Sequence, residues 1–297
     1  MSAPDGSKTY QLFKAGTSRE GWFTNQHLVD QFNGCIEVLR YHHPNCELTI
    51  AFDNSMTHRA RAPDGLDANR LNKSDGGKNV PLMRPGWYLE GNVRVEQIMR
   101  NEKGEQLGLV SILKRRGHKH LNDGGHELNK ICYDCKHGAS KELRLEQANY
   151  SEKCCLTYVL NNEPDFQAQK EWLTEVVENS HCKIIFYPKY HCELNFIEMV
   201  WGWLKSYHRR SCTYTFKHLE TNLPISLETK LPLSFVRRAS QHCFRFMQGY
   251  RHGLYGSVLE YAVKKYTSHR AIPSNVFKTI EADYEETRKL KAEARKK

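Results

Sequence analysis

The run Glu47-Leu-Thr-Ile-Ala-Phe52 ends on Asp53 and is followed by Asn54-Ser-Met-Thr-His58. Its length and its β-branched Thr49 and Ile50 favour a short buried strand over a helix. The carboxyl end of a strand is where ligands gather in open α/β sheets. An ionised Asp there is costly unless it is solvated, paired or metal-bound. The plainer reading is a turn, since Asp-Asn-Ser has sound turn chemistry. A second run, Lys183-Ile-Ile-Phe-Tyr187, closed by Pro188, repeats the pattern and reads as a second buried strand. Asn25–Tyr41 carries Leu28, Val29, Phe32, Ile36 and Leu39 at near-helical spacing and stops before Pro44. Asn195–His208 reads as a helix after the second strand. The order helix, strand, long insertion, helix, strand, helix predicts an α/β fold.

Between the two strands the reading is coarser. Ala60–Pro81 is rich in Gly, Asn, Asp and Lys and reads as irregular. Trp87–Val95 reads as a β-hairpin arm and Gln106–Arg116 as a short helix. Cys154–Leu160 and Asp165–Ser180 read as helical, with Asp165 as the N-cap after Pro164. Leu233–Gly249 and Ser257–Tyr266 are further helices, and no internal repeat is visible.

The 297 residues, 39% hydrophobic with 32 aromatics, exclude a wholly disordered chain. No stretch approaches the ~20 apolar residues of a membrane span. Met1–Gln11 lacks the apolar core of a secretory signal, so an intracellular protein is expected. The net charge of +10 permits a polyanionic partner. It is concentrated in Arg237–Arg270, where Arg237, Arg238, Arg245, Arg251, Lys264, Lys265 and Arg270 face the single acid Glu260. Phe244, Phe246, Tyr250, Tyr255, Tyr261 and Tyr266 are interleaved. Such a stretch suits a phosphate backbone. It equally suits a helical pair with a core face and a solvated basic face. Residues 281–297, with six basic and five acidic residues, read as a solvated helix or a disordered end.

Glu198 lies three residues after Asn195, a capping-box spacing, and could simply cap its helix. Ile197, Val200, Trp201, Leu204 and His208 mark the packing stripe. Gly202, one turn after Glu198, costs about 1 kcal/mol relative to Ala and leaves that face open to approach.

Ala51-Phe-Asp-Asn-Ser-Met-Thr-His58, with the Pro-x-x-x-x-Glu-Leu-Asn-x-Ile-Glu-x-x-Trp pattern of Pro188–Trp201, resembles mariner-like DDE-superfamily transposases. The likeness is to their large-insertion, fungal-type branch. Gly76-Gly-Lys78, Asn162-Glu-Pro-Asp-Phe166 and Tyr261–His269 share it, over about Gly21 to Arg270. The resemblance implies an RNase H-like mixed sheet flanked by helices, a nuclear location and DNA as partner. It makes Asp53 the second and Glu198 the third acid of a triad holding two Mg²⁺ or Mn²⁺ ions, with His58 auxiliary. Hard oxygen ligands suit those cations, and two metals would activate a nucleophile and stabilise the leaving oxygen at a phosphodiester.

The family's first Asp lies on a strand upstream of the second. Here only Asp5, in a polar leader, and Asp30, inside the first predicted helix, precede Asp53. The resemblance therefore implies a truncated transposase, incomplete at the N-terminus and inactive alone, or a start site placed too late. The 145 positions between Asp53 and Glu198 imply an insertion, residues 59–170, that returns the chain to the site. The expected organisation is a leader, 1–20; a core, 21–58 and 171–211; that insertion; a basic helical extension, 212–280; and a charged tail, 281–297. The rival reading is a non-catalytic DNA-binding or zinc-stabilised interaction module derived from a transposase.

Of ten cysteines, Cys132-Tyr-Asp-Cys135 forms a C-x-x-C, and Cys154-Cys155 follows after 18 residues. Structural Zn²⁺ takes four thiolate or imidazole ligands in a tetrahedron, and C-x-x-C supplies two from one knuckle. Cys132, Cys135, Cys154 and Cys155 are the candidate set, with His118, His120, His126 and His137 as substitutes. The alternative is unrelated cysteines, two of them buried in a helix.

Overall fold

The computed structural model describes residues 5–6, 8–118, 121, 125–136, 155–211, 213–267 and 271–294. The described chain is α/β, mostly helical, with two small sheets of two strands each. It divides into two compact units: residues 1–50 with 55–185, and residues 51–54 with 186–297.

The two predicted strands pair. β1 (Thr49–Phe52) neighbours β4 (Lys183–Phe186). The Lys183 amide donates to the Leu48 carbonyl and the Tyr187 amide to the Phe52 carbonyl, each at 2.8 Å. The acceptor and donor numbers advance together, so the strands are parallel. The expectation that both are buried does not hold. Each alternates exposed and half-buried residues, because only two strands pair here among the described residues and no further layer covers both faces.

In the first unit, α1 (Asn25–His42) begins where the Thr24 amide donates to His27 Nδ1, at 3.0 Å. It buries Leu28, Val29, Phe32, Ile36 and Val38; Leu39 is only half-buried. The predicted hairpin is β2 (Gly86–Glu90) against β3 (Val93–Gln97), antiparallel with Tyr88 opposite Val95. Gly91, φ +62°, takes the first of its two turn positions, which type II′ geometry reserves for glycine. Short helices follow: α2 (Leu109–Arg115), α3 (Tyr133–Lys136), α4 (Leu156–Asn161), α5 (Pro164–Ala168) and α6 (Trp172–Asn179). One hydrophobic cluster of this unit, including Leu71, Met99, Leu109, Ile112, Leu113, Leu156, Leu160 and Phe166, is drawn from residues 66–166.

Two motif segments of this unit have structural roles. Gly76 and Gly77 sit at φ +73° and +124°, and the Gly76 amide donates to the Gln106 carbonyl at 2.7 Å. That loop lies on Gly108, where a Cβ would collide with the Ser74 carbonyl. Asp165 is not an N-cap: it is the second residue of α5, buried against Arg116. Arg116, with its side chain 0% exposed, donates to Asp165 through both terminal nitrogens (2.8 and 2.7 Å), to Glu163 (3.1 Å) and to Gln97 (2.7 Å). Burial works against the Arg116 charge, but Asp165 and Glu163 outweigh it and hold the guanidinium protonated. A tertiary ion pair therefore takes the side chain that local spacing assigned to a cap.

The second unit is helical after Tyr187. Its elements are α7 (Ile197–Ser211), α8 (Phe216–Ile225), α9 (Leu233–Arg251), α10 (Gly256–Lys265) and α11 (Ile280–Ala294). A π-helical segment, Ser226–Lys230, joins α8 to α9. Leu194, Phe246, Leu254, Leu259, Ala262, Val263, Ile272 and Ile280 form the core. On α7 the buried stripe is Val200, Leu204 and His208; Ile197 and Trp201, expected in it, are exposed.

Candidate functional site

Asp53 stands one residue past β1, half-buried. The loop after it folds on itself: the His58 amide donates to Ser55 Oγ at 3.3 Å and the Arg59 amide to the Ser55 carbonyl at 3.1 Å. Asn25 Nδ2 donates to the Thr57 carbonyl at 2.7 Å, tying that loop to the start of α1. His58 is half-buried in the first unit, whereas Asp53 belongs to the second. Asp5 lies in a turn and Asp30 on α1, and both are exposed.

Glu198 is in the first turn of α7, exposed, with its amide donating to the Asn195 carbonyl at 3.1 Å. A Cβ on Gly202, one turn later, would meet open space. The Glu193-Leu-Asn195 segment anchors this helix start. Leu194 is buried in the unit's core. Glu193 Oε1 accepts from the Tyr250 hydroxyl at 2.6 Å and lies 2.7 Å from His191 Nδ1. The His191 and Tyr250 rings meet edge to face, 5.2 Å apart. Burial works to raise the Glu193 carboxyl, but the Tyr250 and His191 hydrogen bonds outweigh it and hold it below the usual carboxylate range. Burial, reinforced by Glu193, pushes the Tyr250 hydroxyl up to about 12. Sequence reasoning missed this Glu193–Tyr250 clamp. Its one signal was an acid within the motif that precedes Glu198.

Of the basic residues, Arg237, Arg238 and Arg251 on α9 and Lys264 and Lys265 on α10 are exposed. Arg245 is not: it is 4% exposed, on the core side of α9 beside Phe246, so it is removed from the expected surface set. Arg270 lies outside the described residues. Lys265 Nζ lies 2.8 Å from Asp283 Oδ2, and that bond raises its pKa. Arg237, Phe244 and Arg251 recur every seven residues, two helical turns apart, and so share one face of α9. Phe244 is 61% exposed between the two arginines. Burial raises the Cys243 thiol, one residue away and facing inward, to about 11.

The sulfur atoms of Cys132, Cys135 and Cys155 lie within 4.8 Å of one another, a group that could hold a metal ion. Cys154, His120 and His137 lie outside the described residues. His118 is turned to Glu163, 2.8 Å away, and His126 is exposed. No family model, curated protein or solved structure matches the chain.

Proposed function

We propose that this chain is a DDE-transposase-lineage protein that binds DNA, with an RNase H-like core in which Asp53 and Glu198 are two of the metal-holding carboxylates. One observation carries the reading. β1 and β4 are adjacent and parallel, Asp53 follows the first, and the helix bearing Glu198 follows the second. Both acids belong to the same unit. Their donor set is hard oxygen, which fits Mg²⁺ or Mn²⁺. When bound, such ions would activate the attacking oxygen and stabilise the leaving one. The chain's own part is to hold the ions with Asp53 and Glu198 and to grip the DNA backbone. Asp5 and Asp30 both lie off any strand, so neither takes the place of the triad's first acid, and the proposal is that the chain as given does not cleave.

The test has two arms. Labelled duplex DNA titrated with the full chain should bind with an affinity that falls steeply with salt. A nicking assay with Mg²⁺ or Mn²⁺ should show no turnover. Cleavage abolished by Asp53→Ala and by Glu198→Ala would overturn the inactivity while upholding the site. Absence of any DNA binding at low salt would overturn the whole reading. A binding module without catalysis is the second reading, and the exposed Arg237–Phe244–Arg251 face favours it, since it needs no metal.

A further inference from the structure

We infer that Cys132, Cys135 and Cys155 are ligands of one structural Zn²⁺ ion in the first unit, a site independent of the DNA-binding reading. Three thiols from two separated stretches of chain converge there, with all sulfur atoms within 4.8 Å of one another. Cys135 and Cys155 are 3.7 Å apart at sulfur. Ligands about 2.3 Å from a zinc ion at tetrahedral angles stand about 3.8 Å apart, so the spacing is that of two corners of a zinc tetrahedron. A disulfide would need about 2.05 Å, and none of the described cysteines forms one.

The arrangement is held in place by backbone rather than left to the thiols. The Leu156 amide donates to the Asn129 carbonyl, and the Thr157 amide and hydroxyl both reach the Lys130 carbonyl, at 3.1, 3.1 and 2.7 Å. These bonds fix the segment of chain entering Cys132 against the start of α4, directly after Cys155. Leu156 and Leu160 then bury α4 in the unit's core, and Leu128 packs on it from the other segment. The sulfurs are thus brought together by two anchored segments, as a preformed site requires.

The chemistry of the group selects the metal. Three sulfurs with no carboxylate or imidazole among them suit a borderline-soft cation, not Mg²⁺. Cys155 is 0% exposed, so a metal held there is shielded from solvent on that side. Binding forms three Zn–S bonds and releases the three thiol protons to solvent. Among the described residues the group has three members, which leaves the fourth corner of the tetrahedron to another ligand. The ion's work is to tie Cys132 and Cys135, beyond the anchored Asn129 and Lys130, to Cys155 at the start of α4.

The experiment uses the full chain, purified under reducing conditions, stripped with a chelator and reloaded. Native mass spectrometry should find one Zn²⁺ per chain at neutral pH, lost on acidification as the thiols reprotonate. Co²⁺ in its place should give thiolate-to-metal absorption, weakened in Cys132→Ser and in Cys135→Ser. Zn²⁺, but not Mg²⁺, should raise the melting temperature of the stripped chain. Because the cobalt spectrum is read on the unmutated protein, misfolding of a variant does not blunt the test. No retained zinc and no cobalt–thiolate absorption on the reduced chain would overturn the assignment, as would a metal-free disulfide between any two of the three. The DNA titration is unaffected by either outcome.

Discussion

At the residue scale the first unit depends on a buried charge. Arg116 is enclosed and answered by Asp165, Glu163 and Gln97, so removing it strands Asp165 without its partner. Arg116→Ala is expected to destabilise the chain by about 3–5 kcal/mol, measured by urea unfolding. Gly108→Ala forces a methyl group against the carbonyls of Lys73 and Ser74 and should cost about 1–3 kcal/mol in the same measurement. Neither role was legible in the sequence. Arg116 reads as the end of a helix and Asp165 as a cap, because their pairing spans 49 positions and arises only once hairpin, α2 and α5 meet. The place of Asp53 after β1, and the closeness of Cys132 and Cys135, were legible for the opposite reason: an acid closing an apolar run, and a C-x-x-C, are local patterns.

At the element scale α7 and α9 matter most. Their places follow from periodicity; α7 starts two residues later and ends three later than expected, and α9 ends two later. Periodicity does not say which polar residues turn inward, so Arg245 falls on the wrong side of α9 while Arg237 and Arg251 do not. On the proposed DNA-binding reading, Arg237→Ala with Arg251→Ala should lower the slope of log affinity against log salt by about 2, and Phe244→Ala should weaken single-stranded more than duplex binding. The Glu193–Tyr250 clamp sets a pH dependence. The folded carboxyl is depressed, so its contribution is fully present above the ordinary carboxylate range and is lost as pH falls through the folded value. Tyr250→Phe should therefore be less stable than the parent at neutral pH, with the two stability curves converging in acid, as followed by denaturant midpoint against pH.

At the scale of the whole molecule, α/β architecture was legible from two apolar runs and the helices around them. The burial of those runs was not, since a four-residue run reads alike in a covered sheet and in a two-stranded one. The division of the chain also depends on long-range packing: residues 66–166, polar and glycine-rich in places, hold a hydrophobic cluster of their own.

That division sets an order in time. Leu48 and Lys183, bonded across β1 and β4, are 135 positions apart. Closing so long a loop of unfolded chain costs about 4 kcal/mol beyond the constant term, and a two-stranded sheet returns little. Once residues 66–166 have condensed, most of that loop is already closed. During synthesis β1 leaves the ribosome early, and Phe52 waits for Tyr187 to follow it. Pulse-labelled hydrogen exchange during refolding should accordingly protect the Ile112 and Leu160 amides before that of Tyr187, and simultaneous protection would show that the sheet closes without the intervening core.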